Sequence, residues 1–299
     1  MYCRSKKDIV FFLFPSVLLV AVFVYFAIGM NGYYSLFSWN AFSADMDWVG
    51  LQNFTRLFQD ETFAIAMRNT ILVVIFSVIF QVGLSMVLAA ILEQKWLRKF
   101  GAFCRTVFFI PSVLSMTIVA LLWQLALNSS MGFVNELLRN IGLDSWAMDW
   151  LGNSHTAIYC VIFTMQWQFI GYTMMLFIVA MQNVPPDYYE VASLDGASPM
   201  QQFIHITIPN IKETILLNCV TTVVGSFKTF EQVYALTASG PGRASEVLGT
   251  MLYREAFRDD RMGYASAIGV VIFVITMICS YFQIRMFNVN SIERGGEDA

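Results

Sequence analysis

The sequence predicts an all-α integral membrane protein with six transmembrane helices. Three observations carry that expectation. The hydrophobic class makes up 57% of the 299 residues and charged residues only 13%, whereas soluble domains are about a quarter charged. Six stretches reach the roughly 20 mostly apolar residues that a bilayer-spanning helix needs. Lysine and arginine near the early spans set one side of the resulting alternation as cytoplasmic, while Arg243, Arg254, Arg258 and Arg261 on the other side are mixed with Glu246, Glu255, Asp259 and Asp260.

The first stretch runs from about Ile9 to Leu36 and contains "IVFFLFPSVLLVAVFVYFAIG". Arg4, Lys6 and Lys7 precede it, as in a signal peptide. Its apolar run exceeds the roughly 7–15 residues of a signal core and no small-residue cleavage pattern follows, so it reads as a retained span. The others are Thr70 to Leu92, Val107 to Leu127, Thr156 to Met181, Thr214 to Leu236 and Tyr264 to Phe287. The positive N-terminus and Lys95, Arg98, Lys99 and Arg105 between the second and third spans place both segments in the cytoplasm. Residues 1–8 are then a cytoplasmic N-terminus, 9–287 the membrane domain and 288–299 a cytoplasmic tail. The loops "WVGLQNFTRLFQDETFAIAM" and "GFVNELLRNIGLDSWAMDWLG" have amphipathic helical spacing. They read as interfacial helices with Trp48, Trp146 and Trp150 as aromatic anchors. No internal repeat is visible.

The segment 183–212, between the fourth and fifth spans, is polar and ordered. Pro185 and Pro186 end the preceding helix. Asp187 and Glu190 suit a new first turn. Gly196 is a left-handed helix stop. Ser198, Pro199 and Gln201 form an N-cap, first helical residue and capping-box partner. The pattern predicts two short helices around a glycine bend, the second ending at Pro209. Ala192, Gly196 and Ala197 leave room for another backbone.

"EVASLDG", nine residues and "ITIP" resemble the EAA motif of membrane subunits of binding-protein-dependent ABC importers, with Glu190, Ala192, Gly196, Ile206 and Pro209 on the pattern. Val191 departs from its second alanine position and Ile208 from its leucine. "VGLQNF", "RTVFFIPSV", "WLG", "FEQVYALTASGPG" and "GYASAIGVV" are similar to the carbohydrate-uptake branch, maltose and glycerol-phosphate type, first of two permeases. The resemblance implies a type I importer permease fold of six spans, in a multi-pass bacterial cell membrane protein. It makes segment 183–212 a coupling helix, with Glu190, Ala192, Asp195, Gly196, Ile206 and Pro209 at the ATPase contact. It implies as partners a second homologous permease, two cytoplasmic ATPase subunits and an extracytoplasmic binding protein delivering a sugar. No cofactor is implied.

The residues agree on what is missing. There is no phosphate loop of the G-x-x-x-x-G-K-[ST] kind and no HExxH or GxSxG, so no enzyme site of its own is expected. "GPGRAS" reads as a turn. The five cysteines are scattered and form no CxxC pair, and His155 and His205 fall on opposite membrane faces, so no metal site is expected. No basic cluster interleaved with aromatics marks a nucleic-acid surface.

Charged groups inside spans are costly and often functional. Lys228 and Glu231 are expected on one face of the fifth span, where they can pair. With Tyr234, and with Gln166 and Trp167 in "QWQFIGY", they are the candidate solute pathway. Aromatic faces pack on sugar rings and amides satisfy hydroxyls, although membrane glutamines also bond helix to helix. Lys228 would suit an acidic sugar unless Glu231 neutralises it. Ala265 and Gly269 read as a helix-packing pair. The alternative function is a self-sufficient secondary transporter of a small polar solute, which internal repeats and broken helices would favour.

Overall fold

The computed structural model describes residues 6–42, 45–94 and 98–286. Arg4, Lys95 and the tail 288–299 lie outside the described residues. Among the described residues the regular structure is helical apart from a two-stranded antiparallel pair, Phe37–Ser38 with Asp47–Trp48. Helix α1 (Lys6–Val20) passes through a π-helical stretch (Ala21–Phe26) into α2 (Ala27–Tyr34). Short α3 (Gln52–Gln59) precedes α4 (Glu61–Phe76), which continues through a π stretch (Ser77–Leu84) into α5 (Ser85–Leu92). Then come α6 (Arg98–Val113), α7 (Met116–Ala126), α8 (Phe133–Asn140) and α9 (Ala157–Gln182). The polar segment forms α10 (Pro186–Leu194) and α11 (Pro199–Gln202), the latter continued by a π stretch (Phe203–Thr207) into α12 (Ile208–Asn210). The chain ends with α13 (Lys212–Phe227), α14 (Glu231–Thr237), α15 (Leu248–Phe257) and α16 (Met262–Met286).

Among the described residues four continuous helical runs are long and apolar enough to cross a membrane: Phe12–Tyr34, Glu61–Leu92, Ala157–Gln182 and Met262–Met286. The third and fifth predicted stretches are divided instead. α6 and α7 meet at a bend of 102°. Pro111 sits inside α6 without an N–H to donate, and the Ser115 hydroxyl caps the new helix by accepting from the Ile118 N–H at 3.3 Å. The fifth stretch stops at Lys228, and Phe230, with φ −138° and ψ −58°, separates α13 from α14. α13 has 16 residues, about 24 Å at 1.5 Å per residue, short of a hydrocarbon core of about 30 Å. The break is packed in place: a Cβ at Gly249 would collide with the Thr229 carbonyl.

Packing divides the chain into two units, residues 1–63 with 251–274 and residues 64–250 with 275–299. In the first, Asn53 donates to the carbonyls of Ser35 (2.8 Å) and Phe37 (2.9 Å), fixing the turn out of α2. The Met262 N–H reaches the Trp39 carbonyl at 3.1 Å. Tyr264 donates to Asp60 at 2.9 Å under the Arg56 guanidinium, 5.1 Å above its ring. Arg254 and Arg261 each pair with Glu255 and Asp259. Ala265 is buried, and Asn31 donates to the Ser266 carbonyl at 3.3 Å beside Gly269, so this stripe packs helix on helix as expected.

The second unit holds two hydrophobic cores along α9. The first gathers Val73 of α4, Ala120 of α7, Ile158, Val161, Ile162 and Met165 of α9, and Val233 and Leu236 of α14. The second gathers Val82, Ala89 and Leu92 with Met174, Phe177, Ile178 and Met181 of α9, with Cys104 of α6 and Ile215 and Cys219 of α13 packed against it. The amphipathic loop helices form as α3 and α8. Trp48 and Trp146 are exposed, but Trp150 turns inward and donates to Asn135 at 2.7 Å. "GPGRAS" is a turn, closed by the Ala244 N–H on the Pro241 carbonyl at 2.9 Å and held by Asn69, which donates to the carbonyls of Ala244 and Glu246 at 2.8 Å each.

Candidate functional site

The segment after α9 is built from local chemistry. Pro185 stands outside α10 with φ −56° and ψ 129°, and Pro186 takes the first helical position. At the far end Gly196 adopts φ +78°. Its N–H bonds the Ser193 carbonyl at 3.2 Å and the Ala197 N–H bonds the Ala192 carbonyl at 2.9 Å. That is a Schellman stop, whose left-handed residue favours glycine. Two residues on, the capping box forms in full: Gln201 N–H to Ser198 Oγ at 3.3 Å, and Ser198 N–H to Gln201 Oε1 at 2.7 Å. The two helices are then braced to each other. Gln202 donates to Ser193 Oγ (3.0 Å) and to the Ala197 carbonyl (3.1 Å), and the Tyr189 and Thr207 hydroxyls bond at 3.0 Å.

The helical run that starts at Pro199 ends at Asn210, one residue past Pro209, where the sequence reading ended the second helix. Glu190, Asp195, Gly196 and Pro209 are exposed and Ala192 is half-buried. Ile206 turns inward, with Tyr189 and Phe203, onto the second core. Sequence reasoning missed the apolar outer face: Leu194 is 89% exposed, and Val191, Met200 and Ile204 are exposed too. The signal was present as apolar residues inside a polar segment. Behind the element lies a cavity of about 880 Å³, lined by Glu93, Met181, Tyr189, Glu190, Gln202 and Phe203 among others. Glu93 there accepts from Arg105 of α6 and, with both oxygens, from Gln182 at the end of α9.

The candidate pathway residues divide into two sets. Lys228 and Glu231 do not share a helix face, because the chain breaks between them, and no ion pair joins them. Both are exposed, and Glu231 accepts from Thr117 of α7 at 3.2 Å. Tyr234 is half-buried and stacks on Phe230 at 5.2 Å. Gln166 is buried at 7% exposure and donates to Ser77 of the π stretch at 3.0 Å, while its Oε1 is buried without a partner. Trp167 is half-buried and meets Trp123 edge to face at 5.5 Å.

The family described as "Binding-protein-dependent transport system inner membrane component" matches residues 82–289. The chain is 46% identical over 290 residues to a probable ABC transporter permease protein of Bacillus subtilis, covering 97% of this chain and 99% of that one. It is 31% identical to the diacetylchitobiose uptake system permease protein of Streptomyces coelicolor, over 96% of this chain and 83% of the other. With the lactose transport system permease protein of Rhizobium radiobacter it shares 30% identity, over 91% of each. Among solved structures it is similar to a bacterial ABC transporter involved in import of the acidic polysaccharide alginate, with a TM-score of 0.81 and 26% identity over 94% of this chain and 96% of that one.

Proposed function

This chain belongs to the inner membrane components of binding-protein-dependent transport systems, and on that premise we propose that it is the sugar-translocating permease of an ATP-driven importer. Relatives named for diacetylchitobiose, lactose and alginate import support a carbohydrate as the solute. A binding protein delivers it from outside, a second homologous permease completes the path, and two cytoplasmic ATPase subunits supply the energy. Both termini and the α10–α12 element then face the cytoplasm.

The observation that carries the coupling role is the self-braced, outward-facing α10–α11 element. Glu190, Leu194 and Asp195 are free to enter a groove of the ATPase. Gly196 sets the bend, and Ile206 and Tyr189 pass the movement to the second core. A rigid peg transmits displacement; a slack loop would absorb it. The test is affinity purification of the tagged chain from native membranes beside Leu194→Asp. An ATPase and a second six-span protein accompany the wild type, and Leu194→Asp loses the ATPase while keeping the second permease. A wild-type chain that comes out alone after crosslinking overturns the proposal.

One observation favours the runner-up. Two divided helices are also how self-sufficient secondary transporters build their sites. Family membership weighs against that reading, and uptake driven by a proton or sodium gradient without ATP would restore it. Within the importer reading, Lys228 is an exposed cation not paired to Glu231, so the solute it suits is a carbohydrate bearing a carboxylate or phosphate.

A further inference from the structure

The second unit's two cores lie along α9, and buried Gln166 and Gln168 come between their α9 residues. On one side α7, α14 and the first half of α9 pack together around Val233, Leu236 and Ala120. α7 and α14 are tied directly, since Gln124 donates to the carbonyls of Ala235 (2.8 Å) and Leu236 (3.0 Å). On the other side α6 and α13 pack with α5 and the second half of α9. Each divided helix therefore has one half in each core.

Gln168 stands between the two breaks. It is 1% exposed, near the middle of α9. Its Nε2 donates to the Leu114 carbonyl at 3.0 Å. The α6–α7 break frees that carbonyl, because the Ile118 N–H that would have filled it is taken by Ser115. Its Oε1 accepts from Gln232 of α14, itself 3% exposed, at 3.3 Å. One amide thus has its donor on the first break and its acceptor on the helix that follows the second.

We propose that Gln168 is a positioning residue that holds both helix breaks, each by one end of its amide, to a single point of α9. It rests on the permease reading for its purpose, since alternating access needs the halves to move together. The physical reason is the cost of separating the links: a buried amide or carbonyl left without a partner is penalised, so the breaks keep their relative setting while Gln168 spans them. An aliphatic residue of the same size would fill the space and hold neither end.

The experiment uses the full chain, with its cysteines replaced, in lipid nanodiscs and needs no solute or ATPase. A failure is therefore separable from a failure of the permease reading. Spin labels on exposed Phe103 and Leu125 span the first break, labels on Leu217 and Ala238 span the second, and labels on Tyr159 and Val179 within α9 are the rigid control. Gln168→Leu broadens both break distributions and leaves the control sharp. Gln232→Leu broadens the second pair alone. Losing one buried hydrogen bond should raise the displaced population about fivefold. Unchanged distributions in Gln168→Leu, or equal broadening of both pairs by Gln232→Leu, overturn the proposal. If Gln168→Leu does not fold, Gln232→Leu decides it, and a second pair left sharp overturns the proposal.

Discussion

Gly196 offers a prediction whose size can be worked from the structure. Its φ of +78° is one that L-residues avoid, and a Cβ built there meets nothing within 4 Å. Gly196→Ala is therefore a purely backbone perturbation in the free chain. The left-handed conformation costs a non-glycine residue roughly 1–2 kcal/mol, a factor of about 5–30 in the population of the closed bend. Asparagine tolerates the same region, so Gly196→Asn should cost less. The local assay is hydrogen exchange at the Ala197 amide, which bonds the Ala192 carbonyl at 2.9 Å. Protection should fall by that factor in Gly196→Ala and by less in Gly196→Asn, with other helices unaffected. Retention of the ATPase then separates two roles for the glycine. If its backbone angle is what matters, Asn keeps more ATPase than Ala. If a partner's backbone approaches it closely, both lose the ATPase alike. Unchanged protection in Gly196→Ala would refute the Schellman account of the bend.

Ser198→Ala removes the cap of α11 and should cost about 1 kcal/mol locally, read as faster exchange at the Gln201 amide; no change there would mean the capping box carries no stability. Gly171→Leu should destabilise the purified chain strongly, beyond the about 1–3 kcal/mol of ordinary overpacking, because its Cβ would drive into the Phe108 backbone; thermal unfolding in detergent checks it, and a wild-type midpoint would refute that close approach. Lys228→Gln should weaken uptake of an acidic sugar more than of its neutral analogue, and equal loss of both would remove Lys228 from solute recognition.

The α10–α11 element was legible because every signal in it is local. A proline pair, an acidic first turn, a glycine stop and a Ser-x-x-Gln box act within four residues of themselves, and the geometry follows them. Pro209 belongs to the same local set, since the helical run ends one residue after it, at Asn210. Trp150 misled because an indole in an amphipathic loop has two destinations, and the Asn135 amide that captures it is a neighbour only after folding. The helix breaks were not expected, although each left a signal: Pro111 and Ser115 flank the first, and Lys228, Thr229, Glu231 and Gln232 crowd the second. Each stretch is apolar enough on either side that average composition still counts one span. What fixes each break is a distant partner: Gln168 fills the Leu114 carbonyl, and Gly249 makes room for the carbonyl of Thr229. Gln168 itself was visible only as one polar residue in "QWQFIGY".

The breaks also change how Lys228 and Glu231 must be understood. On one helical face they would have neutralised each other, and the pair could have met lipid at modest cost. Divided, Lys228 caps the end of α13 and Glu231 opens α14, and both are exposed. A charge facing the hydrocarbon core costs about 2.5–3.5 kcal/mol by insertion measurements. Two such charges would consume much of the roughly 5–15 kcal/mol that holds a folded protein together. A surface that held both charges at membrane depth therefore could not face lipid. It would need water, a polar solute or another protein against it, which is what a second permease enclosing a solute path would provide. The charges that support the proposed pathway thus equally support the proposal that a second permease completes its wall.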